Sequence, residues 1–176
     1  RMSLVMGLQV VDNFLSEYYL KSIQTEMMGN NFPWFYNNRT LPTFHSHYNP
    51  KIFQFTHVFF NALSGQKSPV YGDLMDPITS KLNVRRLTRI KANLTPRTFF
   101  HQRSGLHVDL DPNNPYQHIT TSIFYINTNN GWTHFKGGGK VKSVANRLVT
   151  FDSDQEHQGV SCTDENVRLV INFNYD

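Results

Sequence analysis

The sequence predicts an α+β, mainly β chain in which N-terminal helices buttress an antiparallel core of jelly-roll type. Three observations predict it. Helical periodicity is confined to the first half of the chain. Short alternating segments, separated by clusters of Gly, Pro and Asn, fill the second half. The last of these segments alternates cleanly over nine residues, 167–175. A length of 176 residues suits one domain with a sizeable core. Aromatic residues make up 14% of the chain and charged residues only 17%, which excludes intrinsic disorder. No apolar run approaches the roughly 20 residues that cross a bilayer as a helix, so no membrane association is expected.

Taken in order, residues 4–12 read as a strand. Ser16 is placed to cap a helix over 16–28, whose apolar stripe is Tyr19, Leu20, Ile23 and Met27 and whose end is Gly29-Asn30. Residues 30–50 mix Asn, Pro and aromatics and read as irregular structure or short strands. A strand follows over 53–60, a loop over 64–72, and a second helix over 73–82 with Pro77 inside it. Strands are then expected at 84–94, 105–109, 117–126, 132–135, 140–143, 147–151 and 166–175. Turn clusters at 111–115, 127–131 and 137–139 separate them. In the last strand Val167, Leu169, Ile171, Phe173 and Tyr175 share one face, expected to pack on the helices. Arg168, Val170, Asn172 and Asn174 share the other and should look into the sandwich. A buried arginine there needs an anion.

The start, Arg1-Met2-Ser3, is expected to be a tag remnant before the initiator. The apolar stretch 4–11 is short and lacks a cleavage pattern, so no signal peptide is expected. The single cysteine, Cys162, allows no intrachain disulfide and suits a reducing cytoplasm. The net charge of +4 permits an anionic ligand or a nucleic acid without specifying either.

Eight histidines are present, and two of them have a chemical reason to be paired. In His107-Val108-Asp109 the outer two residues project from one face of a strand, so an imidazole and a carboxylate can hold one metal. His157, expected between strands, would supply a third ligand from across the sandwich. Two histidines and one carboxylate leave open positions on an octahedral metal, an arrangement suited to non-haem Fe(II) oxygenases. Arg168 follows eleven residues after His157, on the inward face.

These residues, in this order, resemble the Fe(II)/2-oxoglutarate-dependent dioxygenase superfamily: His107 and Asp109 as His-x-Asp, His157 as the distal histidine, Arg168 as the basic residue beyond it. The segment 121–127 looks like the strand that follows His-x-Asp in prolyl-4-hydroxylase-like members. Residues 131–135 lie where these carry a Gly-rich, Phe-containing strand, and 146–151 resembles the strand before the distal histidine. The overall character is similar to short enzymes of this type encoded by tailed phages. The resemblance is good over about 84–175 and weak before it.

The resemblance implies a double-stranded β-helix (cupin-like) core over 84–176, with residues 1–83 as helical and aromatic support and lid in one domain. It implies Fe(II) on His107, Asp109 and His157, with 2-oxoglutarate as co-substrate, O2, and ascorbate as a reductant. Arg168 would bind the far carboxylate of 2-oxoglutarate, Tyr125 would donate a second hydrogen bond to it, and Asn93 would be a further contact. The implied reaction is hydroxylation of a peptide or protein side chain such as proline, with 2-oxoglutarate converted to succinate and CO2.

Two other readings compete. Nucleic-acid demethylation within the same superfamily fits the basic character, but the repair branch has a second arginine where this chain has Asn174. A non-catalytic jelly-roll binding or structural module has no reason to keep His107, Asp109, His157 and Arg168 together. His45, His47, His57, His101, His118 and His134 are expected to be structural or solvated, and Cys162 a bystander. Gly137-Gly138-Gly139 reads as a hairpin turn. The acid-free basic run from Lys81 to Arg103 reads first as a solvated strand edge, and second as a rim that attracts an anionic substrate or 2-oxoglutarate.

Overall fold

A computed structural model of the chain describes residues 2–5, 7–41, 49, 52–109 and 119–176. The 111–115 turn cluster, His45, His47 and His118 lie outside the described residues.

The single strand expected at the start is a hairpin of β1 (Met2–Val5) and β2 (Leu8–Val11). Gly7 turns it at φ +80°, a conformation that favours glycine. Ser16 caps α1 (Glu17–Met27), its hydroxyl accepting from the Tyr19 N–H, and Ile23 and Met27 are the buried stripe. Next come β3 (Phe35–Asn37) and β4 (Gln54–Asn61). The loop expected at 64–72 holds the two-residue β5 (Gln66–Lys67) and the start of α2 (Tyr71–Leu82). Asn83, in the left-handed conformation, ends that helix. The second half contributes β6 (Leu87–Pro96), β7 (Thr120–Tyr125), β8 (Trp132–Phe135) and β9 (Lys140–Lys142). It ends with β10 (Arg147–Asp152), β11 (His157–Val160) and β12 (Val167–Tyr175). The Gly137–Gly139 run is the β8–β9 hairpin turn, with Gly137 and Gly138 at positive φ.

Two antiparallel sheets result. The larger has nine strands, in the order β1-β2-β10-β7-β12-β6-β4-β3 with β5 on β4; the smaller runs β11-β8-β9. Alternation in β12 divides the core as expected. Leu169, Ile171 and Phe173 pack outward against Ile23, Met27, Met75 and Ile78 of the two helices. Val170 faces inward with Ile123, Val149, Phe135 and Phe151, joining the two sheets. The N-terminal half is more than support, because β2 extends the large sheet beside β10 and β4 extends it beside β6. Arg147 on β10 fastens the entry of the chain through both oxygens of Asp12, at 2.6 and 3.1 Å. No helix of the described residues is long and apolar enough to cross a membrane.

One expectation fails on topology. β6 is not a strand edge: β12 and β4 flank it on both sides. Arg89 and Lys91, both half-buried, therefore face the space between the sheets, whereas Lys81, Arg85, Arg86, Arg97 and Arg103 are exposed as expected.

Candidate metal centre

His107 and His157 meet as direct neighbours, not across the sandwich. Each donates its backbone N–H to the other's carbonyl, at 3.0 and 2.9 Å. His157 opens β11 instead of lying between strands. The strand expected at 105–109 is reduced to this one bridge, with Asp109 N–H held by the Ser153 carbonyl at 3.1 Å. Short as it is, the pairing sets both rings side by side, 4.7 Å apart. Phe151, 4.8 Å away, packs edge-on against the His157 ring.

The tautomers follow from the partners of the ring nitrogens. His107 Nδ1 lies 2.9 Å from the Gly105 carbonyl and His157 Nδ1 lies 3.0 Å from the Gln155 carbonyl. A carbonyl only accepts, so each Nδ1 carries the proton and each Nε2 presents a lone pair. Both Nε2 atoms lie 3.7 Å from the Asp109 carboxylate, His107 on Oδ1 and His157 on Oδ2. One donor atom from each residue falls within 4.8 Å of the others. Ligand bonds of about 2.1 Å at right angles would put donors about 3 Å apart. The three groups therefore need to close by up to about 1 Å each to share one ion.

Asp109 is oriented from behind. Thr121 Oγ1 donates to its Oδ2 at 3.1 Å and Asn174 Nδ2 reaches the same oxygen at 3.3 Å. Asn174 also donates to Thr121 at 3.0 Å, and Ser153 bonds Thr121 at 2.8 Å. Burial by itself would push the Asp109 carboxyl up. The imidazoles of His157 and His107 and the Asn174 amide outweigh it and hold the group below the usual carboxylate range.

The triad opens into a cavity of about 620 Å³ between the sheets. Arg168 is on its wall, 5% exposed. It donates to Ser143 Oγ at 3.0 Å and to Thr133 Oγ1 at 3.1 Å, and its guanidinium lies over the Tyr125 ring. No carboxylate of the described residues pairs with it. Two glycines make room for it. A Cβ on Gly131 would come within 2.8 Å of Arg168 Cδ, and one on Gly159 within 3.4 Å of Nη1. Tyr125 is completely buried, and its hydroxyl donates to Thr133 Oγ1 at 2.7 Å. The group that reaches the cavity at this level is therefore Thr133. Its oxygen accepts from Tyr125 and Arg168, which leaves its own proton to donate. Asn93 lies on the cavity wall, its amide oxygen buried without a partner.

Sequence reasoning missed Thr121, Thr133, Ser143, Asn174 and Gly131. Asn174 alone carried a signal, being polar on the inward face of β12 together with Arg168 and Asn172. Three of the expected bystanders have structural partners. His57 bonds Pro33 and Ser68, His101 bonds the Ser161 carbonyl, and the buried Cys162 thiol donates to the Glu165 carbonyl.

Fold and site together define a class: a double-stranded β-helix with two imidazoles and one carboxylate converging beside a buried arginine that pairs with no carboxylate of the described residues. No family model matches the chain, and no curated protein matches it in sequence. Solved structures do match. A Pseudomonas putida prolyl-4-hydroxylase is 14% identical, with 96% of this chain and 92% of that one covered and a TM-score of 0.56. The viral collagen prolyl hydroxylase of Paramecium Bursaria Chlorella virus-1, in a 2OG complex, is 13% identical, with 96% and 95% covered and a TM-score of 0.59. SnoK, a non-heme alpha ketoglutarate dependent carbocyclase of nogalamycin biosynthesis, is 11% identical, with 96% and 79% covered and a TM-score of 0.66. The chain thus has the fold of the non-haem 2-oxoglutarate-dependent enzymes, prolyl hydroxylases among them.

Proposed function

We propose that the chain is an Fe(II)- and 2-oxoglutarate-dependent oxygenase that hydroxylates a peptide or protein side chain such as proline, and that residues 1–176 act as one domain. One observation carries the reading. The cavity that holds the His107–Asp109–His157 donor set also holds a buried guanidinium with no carboxylate partner among the described residues. Donors of this kind suit Fe(II) with open positions. The unpaired Arg168 supports a second, organic anion. Prolyl hydroxylases with this fold support the peptide part.

In this reading His107, Asp109 and His157 hold the metal through Nε2, a carboxylate oxygen and Nε2. Arg168 takes the far carboxylate of 2-oxoglutarate, and Thr133, polarised by Tyr125, donates the second hydrogen bond. The bound metal and O2 supply the oxidation, in which 2-oxoglutarate becomes succinate and CO2 and one oxygen atom enters a substrate C–H bond. The protein's share is orientation. Thr121 and Asn174 fix the carboxylate, the two carbonyl bonds fix the imidazoles, and Phe151 with Phe135 shields His157 from water. Asn174 stands where the demethylase pattern has arginine, and it is committed to Asp109.

Anaerobic addition of Fe(II) and 2-oxoglutarate should produce the weak metal-to-ligand charge-transfer band, and His107→Ala should abolish it. A folded wild-type protein that shows no band, and behaves as His107→Ala does, would defeat the proposal.

A further inference from the structure

Beyond the metal and 2-oxoglutarate, the cavity holds cationic groups that the proposed reaction leaves unused. β6 presents Arg89, Lys91 and Asn93 to the interior, in register with Asn174, Asn172 and Val170 of β12. The exposed Arg39 stands on the same wall nearer the mouth. Asp109 is the one acidic group among the described lining residues, and the metal site engages it. Neither Arg89 nor Lys91 forms an ion pair with a described residue. Burial, and Arg89 beside it, push the Lys91 ammonium down to about 8, with Asp109 pulling the other way. The polar environment is unfinished in a second respect. The amide oxygens of Asn93 and Asn172, which flank Lys91 along and across the strands, are buried without a donor, a need met by an N–H or O–H of the substrate and not by its oxyanion.

Retaining unpaired cations inside a cavity is costly unless an anion arrives. Neither the metal nor the co-substrate supplies that anion. A divalent ion and dianionic 2-oxoglutarate cancel one another, and both carboxylates are taken, one by the metal and one by Arg168. Along β12 the residue opposite Lys91 lies four positions from Arg168, about 13 Å at roughly 3.3 Å per residue. A carboxylate on Arg168 is not shared with Lys91.

We propose that the substrate carries an oxyanion, a carboxylate or a phosphate monoester, that sits on Lys91 and Arg89 beside the metal. The inference rests on the oxygenase reading and narrows the substrate class of that site to an acidic one, which a proline peptide fits only if it also carries the oxyanion. Two sources share this chemistry, a free small acid and an acidic or phosphorylated residue of a peptide. A polynucleotide fits less well, since its phosphates would track an exposed groove, whereas these cations lie between two sheets.

The test uses the full chain loaded anaerobically with Fe(II) and 2-oxoglutarate. The charge-transfer band is read first. Its absence overturns the oxygenase reading itself, whereas a normal band with the failures below overturns only the acidic substrate. Inorganic phosphate and acetate are then titrated while the melting temperature is followed. Saturable stabilisation of the wild type is expected, with apparent affinity falling roughly tenfold or more in Lys91→Gln and in Arg89→Gln. Lys91→Arg should retain the affinity. The band reports folding of each variant, and Arg89→Gln decides if Lys91→Gln is not folded. Competition against phosphate separates the sources: N-acetylglutamate for a small acid, and Glu and phosphoserine peptides for a peptide, each against its Gln or Ser counterpart. No saturable anion effect in the wild type overturns the proposal. So does equal competition by neutral and acidic partners, stronger competition by an oligonucleotide than by any acid, or a rise in the 2-oxoglutarate KM of Lys91→Gln as large as that of Arg168→Gln.

Discussion

Replacing Gly131 by alanine should displace Arg168 without touching any proposed ligand. The new Cβ would lie 2.7 Å from the Val160 carbonyl oxygen, 2.8 Å from Arg168 Cδ and 2.8 Å from Asn129 Oδ1. Val160 is in β11 and cannot retreat without disturbing the strand that carries His157. The arginine stem is the softer neighbour, and it must move by nearly 1 Å to reach an ordinary carbon–carbon separation of about 3.5–4 Å. That shift strains the bonds to Ser143 and Thr133, at 3.0 and 3.1 Å, which aim the guanidinium. Overpacking of this kind costs about 1–3 kcal/mol, or a melting temperature lower by roughly 2–12 °C in a chain of this size. Weakening a charge-assisted hydrogen bond to the co-substrate costs about 1.5–3 kcal/mol, a rise of roughly 10- to 150-fold in the KM for 2-oxoglutarate. Succinate formation at varied 2-oxoglutarate measures the KM, and a thermal melt measures the stability. A fall in metal affinity as well would show that the Val160 contact, the shortest of the three, is relieved by a shift of the strand that carries His157. A folded Gly131→Ala protein with the wild-type KM and melting temperature would refute the packing argument, and a lowered melting temperature with the wild-type KM would refute the role of Arg168.

Three further outcomes follow from the same geometry. Asn174→Ala removes an amide from Asp109 Oδ2 and should weaken Fe(II) binding about 10- to 100-fold, read by competition with a chelator; unchanged affinity would mean that Thr121 alone orients the carboxylate. Lys91 has its pKa depressed from 10.5 to about 8, so between those values the unfolded chain holds a proton that the folded one has released. Metal-free stability should therefore rise from about pH 8 toward 10.5, in denaturant titrations, relative to Lys91→Met; parallel profiles for the two proteins would contradict the burial of a charged Lys91. Asp12 is held below its usual 3.8 by its hydrogen bond to Arg147, so its stabilising effect is present above that value and lost as pH falls through the lowered one. Asp12→Asn should flatten the acid limb of the stability profile by a small amount, because the pair is largely solvated; an unaltered limb would count against it.

The sequence by itself determined the periodic parts. α1 is legible because Ser16 precedes a stripe that includes Ile23 and Met27, and β12 because nine residues alternate without interruption. Both are local patterns, repeated at the spacing of one element. The order His107, Asp109, His157, Arg168 is also linear information, and the fold brings these four to one cavity. What only the tertiary structure decided depends on partners far apart in sequence. β11 was not expected, because its four residues become a strand only when β8 and the His107 segment pair with it. Asn174 became a support for Asp109 across 65 positions, and Thr133 came to stand between Tyr125 and Arg168 across 35. Strand order turned two residues of a run read as a solvated edge, Arg89 and Lys91, toward the cavity, because whether a strand is an edge depends on its neighbours and not on its own residues.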